Sequence, residues 1–424
     1  MKKITRREMM MGAAGITGAI LTGNLPTVNP QKEKPRIREY RTLGRTGIRA
    51  SDIGLGAGVP QDAYLVNYVL SLGVNYIDTA EGYSRGQSEV AIGTAIKARR
   101  RKEIYITTKL AVRPDNTEQQ LIDRFYGCLE RLQTDYVDIL MLHNPPDTGS
   151  LYHSGFHNAV KKLKADGKLK FSGMSTHKPN APEVCNSAIE DGRFDALLMV
   201  YNFMQTKMED ILKFAGDKQV GVTIMKVHAS EHPEQLRQLS PEDKQRLQNE
   251  ADKGTVAFKK KYDLSEKAYF SAAMRWALQN RNIGTCAMSI RNTDMADDYV
   301  SNSGKPFTED DSGTLEYYAA LKNNTYCRHA CGDCESSCPN DVSVNDVLRI
   351  DTYFTNYRQE KTFTNYRQEK TALMEYARLE DRRKPFLCHS CSGICESRCR
   401  FGLPVRSRLI RAHERLSLDT VNLI

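Results

Sequence analysis

Gly73-Val-Asn-Tyr-Ile-Asp-Thr-Ala-Glu-Gly-Tyr83 decides how the rest of the chain is read. Val74, Tyr76 and Ile77 make a short apolar run, which predicts a buried strand stopping at Asp78. A glycine-containing loop then carries Tyr83 before a helical pattern opens at Gln87. Two later apolar runs also end on polar residues: Ile104-Tyr-Ile-Thr-Thr-Lys109 and Tyr136-Val-Asp-Ile-Leu-Met-Leu-His143. Singly, such residues serve as helix caps, solvated lysines or core histidines. At three successive strand ends, with Tyr83 in the loop after the first, they argue for one site.

The chemistry explains why these types belong together. A free tyrosine has a pKa near ~10 and is a poor proton donor at neutral pH. An ammonium beside the phenol favours the phenolate and brings proton donation within range. A lysine inside a barrel mouth loses its charge unless a carboxylate pairs with it, the role open to Asp78 beside Lys109. His143 has the chemistry to hydrogen-bond a ligand oxygen and orient it toward Tyr83.

Working outward, short apolar runs alternate with amphipathic helical patterns from Tyr40 to about Ser301. The strands expected are Asp52–Leu55, Asn75–Thr79, Ile104–Lys109, Tyr136–His143, Lys170–Ser175, Ala196–Tyr201, Val222–Val227 and Gly284–Ser289, with helices between them such as Thr117–Leu132 and Ser265–Gln279. Eight strands alternating with helices predict an α/β fold, a closed (β/α)8 TIM barrel whose site lies at the C-terminal strand ends. A charged stretch from Ser230 to about Lys261 reads as a helical excursion over the barrel mouth. The polar segment Ser301-Asn-Ser-Gly-Lys-Pro306 reads as a boundary, dividing a barrel over 40–301 from a second domain over 310–424.

The chain's 424 residues, 40% hydrophobic and 27% charged, describe an ordinary globular composition. Its net charge of +9 is modest for this length, and the densest basic cluster, Lys97-Ala-Arg-Arg-Arg-Lys102, ends a helical pattern where cations are favoured. No nucleic-acid motif accompanies it, so no nucleic-acid partner is expected. The first 35 residues begin with a basic stretch containing Arg6 and Arg7. A Gly-rich, mildly apolar run too short to span a bilayer follows. This resembles a twin-arginine export signal, which predicts a periplasmic protein touching the membrane only through that signal.

Over roughly Tyr40–Ser301 the sequence resembles the aldo/keto reductase family. The resemblance rests on Tyr40-Arg-Thr-Leu-Gly-Arg-Thr-Gly-Ile, the Asp78 to Tyr83 segment, Thr-Lys109, Leu-His143-Asn and Gly173-Met-Ser-Thr-His177. It implies a TIM barrel reducing a small carbonyl substrate with NADPH, with catalytic residues Asp78, Tyr83, Lys109 and His143. It also implies a cofactor site at Ser175 and Met225 beside the nicotinamide, and at Ser289 and Arg291 near a 2′-phosphate. Thr176, Leu198 and Met225 stand where the family usually has Asn, Gln and an aromatic, so the chemical site is intact while the nucleotide grip is eroded.

Eight of the 11 cysteines fall in two runs, Cys327-x3-Cys331-x2-Cys334-x3-Cys338-Pro339 and Cys388-x2-Cys391-x3-Cys395-x3-Cys399. Zinc usually takes two separated pairs, whereas two compact runs of four suit a pair of [4Fe–4S] clusters. Structural zinc stays open as the alternative. The helical spacer between the runs resembles the α-helical type of ferredoxin domain. Carried over from two-cluster ferredoxins, Cys327, Cys331, Cys334 and Cys399 would hold one cluster, and Cys388, Cys391, Cys395 and Cys338 the other. Within the spacer, Phe354–Thr362 is repeated identically as Phe363–Thr371, half a helical turn out of phase, and reads as a tolerant spacer.

Two functions follow. One is an exported NADPH-dependent oxidoreductase whose clusters serve structure or an electron-transfer partner. The other is an iron–sulfur electron-transfer or binding protein that keeps the barrel as scaffold and makes little use of nucleotide.

Overall fold

Ten short strands and the helices between them organise residues 34–58, 62–229, 266–322, 326–358, 370 and 372–418, which the computed structural model describes. The segment bearing Arg6 and Arg7, all of Ser230–Lys261 and most of the nonapeptide repeat beyond Arg358 lie outside the described residues. Among the described residues, no helix is long and apolar enough to cross a membrane.

Eight parallel strands close into a barrel: β3 (Ile53–Gly56), β4 (Tyr76–Asp78), β5 (Tyr105–Leu110), β6 (Val137–His143), β7 (Leu169–Thr176), β8 (Ala196–Val200), β9 (Gly221–Met225) and β10 (Thr285–Met288), the last pairing back onto β3. All eight sequence-predicted strands are present. Helices cover the outer face, so the strands are buried on both sides and read as near-continuous apolar runs. Thr117 caps the helix Glu118–Leu132 through a reciprocal pair with Gln120, which fixes where that helix starts.

Register carries the site residues to one place. Asp78 pairs with Thr107, Lys109 with Met141, and His143 with Ser175. Side chains two residues apart share a face. Asp78, Thr107, Lys109, Met141, His143 and Ser175 therefore all face the barrel interior, rising toward its C-terminal mouth. Met141 also belongs to a separate apolar cluster that fills the barrel with Tyr76, Ile139, Ala196 and Leu198.

A hairpin that the apolar pattern did not predict, β1 (Tyr40–Thr42) with β2 (Arg49–Ser51), closes the bottom. It drives Leu43 into the interior cluster. Gly44 has φ +50, and a Cβ there would lie 2.3 Å from the Gly221 nitrogen, so only glycine fits.

The barrel's core continues past the polar turn at Ser301–Pro306. Leu315 and Tyr318 of the helix Glu309–Lys322 join it, Tyr318 stacks on Tyr269 at 3.9 Å, and Arg275 Nε donates to Asp311 at 2.8 Å. A second core then gathers Val347, Phe354, Leu373, Leu403 and Leu409 around Cys334, Cys388 and Cys395, with the helices Val344–Arg358 and Val405–Leu418 packed together.

Candidate active site

Lys109 stands at the centre of the mouth. Its ammonium donates to Asp78 Oδ2 at 2.7 Å, to the Thr79 carbonyl at 2.6 Å and to Tyr83 Oη at 3.2 Å. Asp78 and Lys109 are both buried. Burial opposes the charge on Lys109, but Asp78 and Tyr83 outweigh it and hold the ammonium above its ordinary range. The His143 ring meets the Tyr83 ring edge-on at 6.0 Å. Burial, with the Lys109 charge nearby, pushes the His143 imidazole down to about 3, so it is neutral at ordinary pH. The four residues expected to share a site do meet: a fixed cation, its counter-carboxylate, a phenol and a neutral imidazole converge on the mouth.

The loop bearing Tyr83 is held under strain. Ser84 and Arg85, φ 49° and 57°, follow it directly in the left-handed region. Glu81 anchors the loop by accepting from Arg124 and, at 3.1 Å, from the Ala111 amide. Behind the site, buried Glu89 accepts from Thr108 Oγ1 at 2.6 Å and Arg131 Nε at 2.7 Å. Sequence reading missed both carboxylates. Glu81 lay inside the decisive stretch, but its partner is 43 residues away and left no periodic signal.

Ser175 adjoins His143 in register, and its hydroxyl is buried without a hydrogen-bond partner. Met225 ends β9 half-buried. Ser289 and Arg291 follow β10, both exposed, just before the helix Thr293–Val300, which Asn292 caps through the Met295 amide. In barrels of this architecture, phosphate sites often form after the last two strands at such a helix N-terminus.

The aldo/keto reductase family model matches residues 58–319. The chain belongs to the aldo/keto reductase family. L-galactose dehydrogenase of Arabidopsis thaliana is 28% identical over 287 residues, 62% of this chain and 87% of that protein. Two Bacillus subtilis relatives, the uncharacterized oxidoreductase YqkF and the aldo-keto reductase YhdN, are each 27% identical, and the chain matches only 62% and 60% of their lengths. Among solved structures, aldo-keto reductase AKR11C1 from Bacillus halodurans (holo form) superposes with a TM-score of 0.51 at 20% identity, over 67% of this chain and 96% of that one. These likenesses place the chain on the family's barrel.

What the family match leaves uncovered, beyond residue 319, docks on the barrel mouth. Three lysines following consecutive strands reach across. Lys178, after β7, donates to Asp346 at 2.8 Å. Lys207, after β8, donates to the Cys331 carbonyl at 2.7 Å and to Asp333. Lys226, after β9, donates to Tyr353. A Cβ on Gly332, φ +69, would strike Pro179 at 2.5 Å, so the first cysteine loop lies directly on the strand-end loop. The Nδ1 of His177 is buried without a partner, within the fields of His143, Lys226 and Arg349.

Cys327, Cys331, Cys334 and Cys399 line one cavity. Cys388 and Cys395 in turn feel the charges of Cys391 and Cys338. The last cysteine of the second run, Cys399, thus lines the cavity of the first. Burial pushes the thiols up, to about 12 for Cys334 and about 11 for Cys388. Among the described residues, no three His, Cys, Asp or Glu side chains are grouped to hold a single metal ion. Fully buried Arg328 lies beside Cys327, Cys331 and Cys399, its guanidinium 3.9 Å from the centre of the Phe401 ring.

Proposed function

We propose that this aldo/keto reductase is an NADP(H)-dependent enzyme that interconverts a small carbonyl compound and its alcohol, with Tyr83 as acid and base. The observation that carries the reading is Lys109 Nζ, bonded at once to Asp78 and to Tyr83 Oη. When bound, the nicotinamide supplies hydride to the carbonyl carbon. Tyr83 gives its proton to the oxygen, so one hydride and one proton make the alcohol. Lys109 stabilises the phenolate left behind, and Asp78 keeps Lys109 charged. Neutral His143 orients the oxygen. The partnerless hydroxyl of Ser175 and the half-buried Met225 fit a ring at the mouth, and exposed Arg291 with Ser289 fits a nucleotide phosphate. The basic, Gly-rich N-terminus supports export by the twin-arginine route.

The cysteine domain fits two [4Fe–4S] clusters, one on Cys327, Cys331, Cys334 and Cys399, the other on Cys388, Cys391, Cys395 and Cys338. Supporting the first set, Cys327, Cys331, Cys334 and Cys399 line one cavity together with Arg328. Bound clusters would carry single electrons or tie the domain together.

A second reading keeps the barrel as scaffold for electron transfer. Favouring it, the lysine clasps lie just past the strands that carry Ser175 and Met225, so the C-terminal domain covers the proposed nicotinamide side. Titrating NADPH into anaerobically purified, iron-assayed protein, followed by turnover with an aldehyde panel, separates the two. Micromolar binding with turnover supports the reductase. Iron-loaded protein that ignores NADPH supports the scaffold.

A further inference from the structure

The two cysteine sets sit differently relative to the barrel. The Cys327 to Cys334 loop lies on it, through Lys207 on the Cys331 carbonyl and Gly332 on Pro179. Exposed apolar side chains flank Cys388 and Cys395 in sequence. Phe386 and Leu387 lead into Cys388, and Ile394 directly precedes Cys395; they are 53%, 58% and 41% exposed. Every other exposed large hydrophobic among the described residues is a tyrosine. Exposed Phe, Leu and Ile this close together in sequence suit an interaction site rather than ordinary surface.

The charge around this patch says what it meets. Residues 378–418 hold ten Lys or Arg against four Asp or Glu, and three acids outside the stretch, Asp333, Asp341 and Asp351, pair with Arg400, Arg382, Arg383 and Arg415, which leaves an excess of three positive charges. Arg398 lies one turn from Ile394 on the short helix Ile394–Arg398, exposed and without an ion pair among the described residues. An apolar centre with a cationic rim suits a partner that is acidic around its own apolar contact.

We propose that the Phe386–Leu387–Ile394 face, with Arg398 on its rim, is the docking surface of a small acidic one-electron carrier protein. The proposal rests on the cluster reading above. In the transfer the carrier would lose one electron and a cluster held by Cys388, Cys391, Cys395 and Cys338 would accept it, with no bond or proton exchanged. The other cysteine set, nearer the barrel, then stands between this entry point and the mouth. Cys334 feels the charges of both Cys395 and Cys399, so the two sets adjoin.

The test uses full-length, anaerobically purified protein of known iron content, with a reduced acidic plant-type ferredoxin as the probe. Stopped-flow absorbance should show ferredoxin oxidation at a rate that falls steeply with added salt. Arg398→Glu should slow it about tenfold at low salt. Phe386→Ser with Leu387→Ser should slow it at every salt concentration. Reduction by the small methyl viologen radical should be unchanged in both variants, which also shows that their clusters are intact. A rate indifferent to salt and to Arg398→Glu overturns the docking site alone. Patch-dependent binding to anionic lipid vesicles, with no effect on ferredoxin, overturns it in favour of a membrane surface. Protein without iron overturns the cluster reading and the docking site together.

Discussion

Lys178 donates to Asp346 across 168 residues of sequence, at 2.8 Å, and so fastens the helix Val344–Arg358 over the barrel mouth. Asp346 also accepts from Arg349 at 3.2 Å and is buried. Burial alone would raise its pKa, but the two cations together lower it. Removing that carboxylate leaves two cations short of a partner. Asp346→Asn should cost about 1–3 kcal/mol of stability. The loss should appear as faster amide hydrogen exchange in that helix than in β4 to β6. Uniform exchange across barrel and helix would mean that the contact does not fasten the domain.

The Lys109 bonds predict a separation of binding from chemistry. Tyr83→Phe removes the acid but keeps the ring on which the His143 edge packs. Carbonyl reduction should fall by ~10²–10⁴ with nucleotide affinity nearly unchanged. Asp78→Asn should also reduce turnover, because Lys109 is then a buried cation without its counter-ion. Wild-type turnover in Tyr83→Phe would remove the phenol from the mechanism.

Much of this site was legible because its residues obey a period of two. Asp78, Lys109 and His143 end strands buried on both faces, and such strands appear as apolar runs that stop abruptly. The hairpin of β1 and β2 escaped because three-residue strands are too short to show alternation. Ser301–Pro306 looked like a domain boundary, yet Leu315 and Tyr318 beyond it pack on the barrel; a helix's own residues do not reveal which core takes its apolar side. The clasps of Lys178, Lys207 and Lys226 left no trace, since a lysine after a strand looks solvated until its distant partner is known.

Acid should weaken the fold from a definite pH. Burial pushes His143 and His228 down to about 3 and His177 well below its ordinary value. Unfolded histidines titrate near ~6.5. Between these limits the unfolded chain binds more protons, so stability falls as pH drops below that value. Each group shifted this far costs at most about 2 kcal/mol by pH 5. The denaturant midpoint should therefore be lower at pH 5 than at pH 7, and His228→Asn should flatten that slope. An equal or higher midpoint at pH 5 would show that these rings accept protons in the folded state.

The cysteine cavity makes the sharpest demand. Cys399 lies 61 residues beyond Cys338, the last cysteine of the first run, yet it lines a cavity with Cys327, Cys331 and Cys334. Anaerobic protein should be brown and hold about eight irons per chain. Cys399→Ser should then damage the cluster of the first run and spare its neighbour, because a hydroxyl is a poor substitute for thiolate on iron. Iron content should fall toward about half, with one set of paramagnetic signals lost on reduction. Cys338→Ser should remove the other set. If each variant instead lost the cluster of its own run, the exchange of last cysteines would be wrong. Colourless protein with two zincs would end the electron-transfer reading altogether. It would leave Asp78, Tyr83, Lys109 and His143 untouched, since none of their contacts passes through a cysteine.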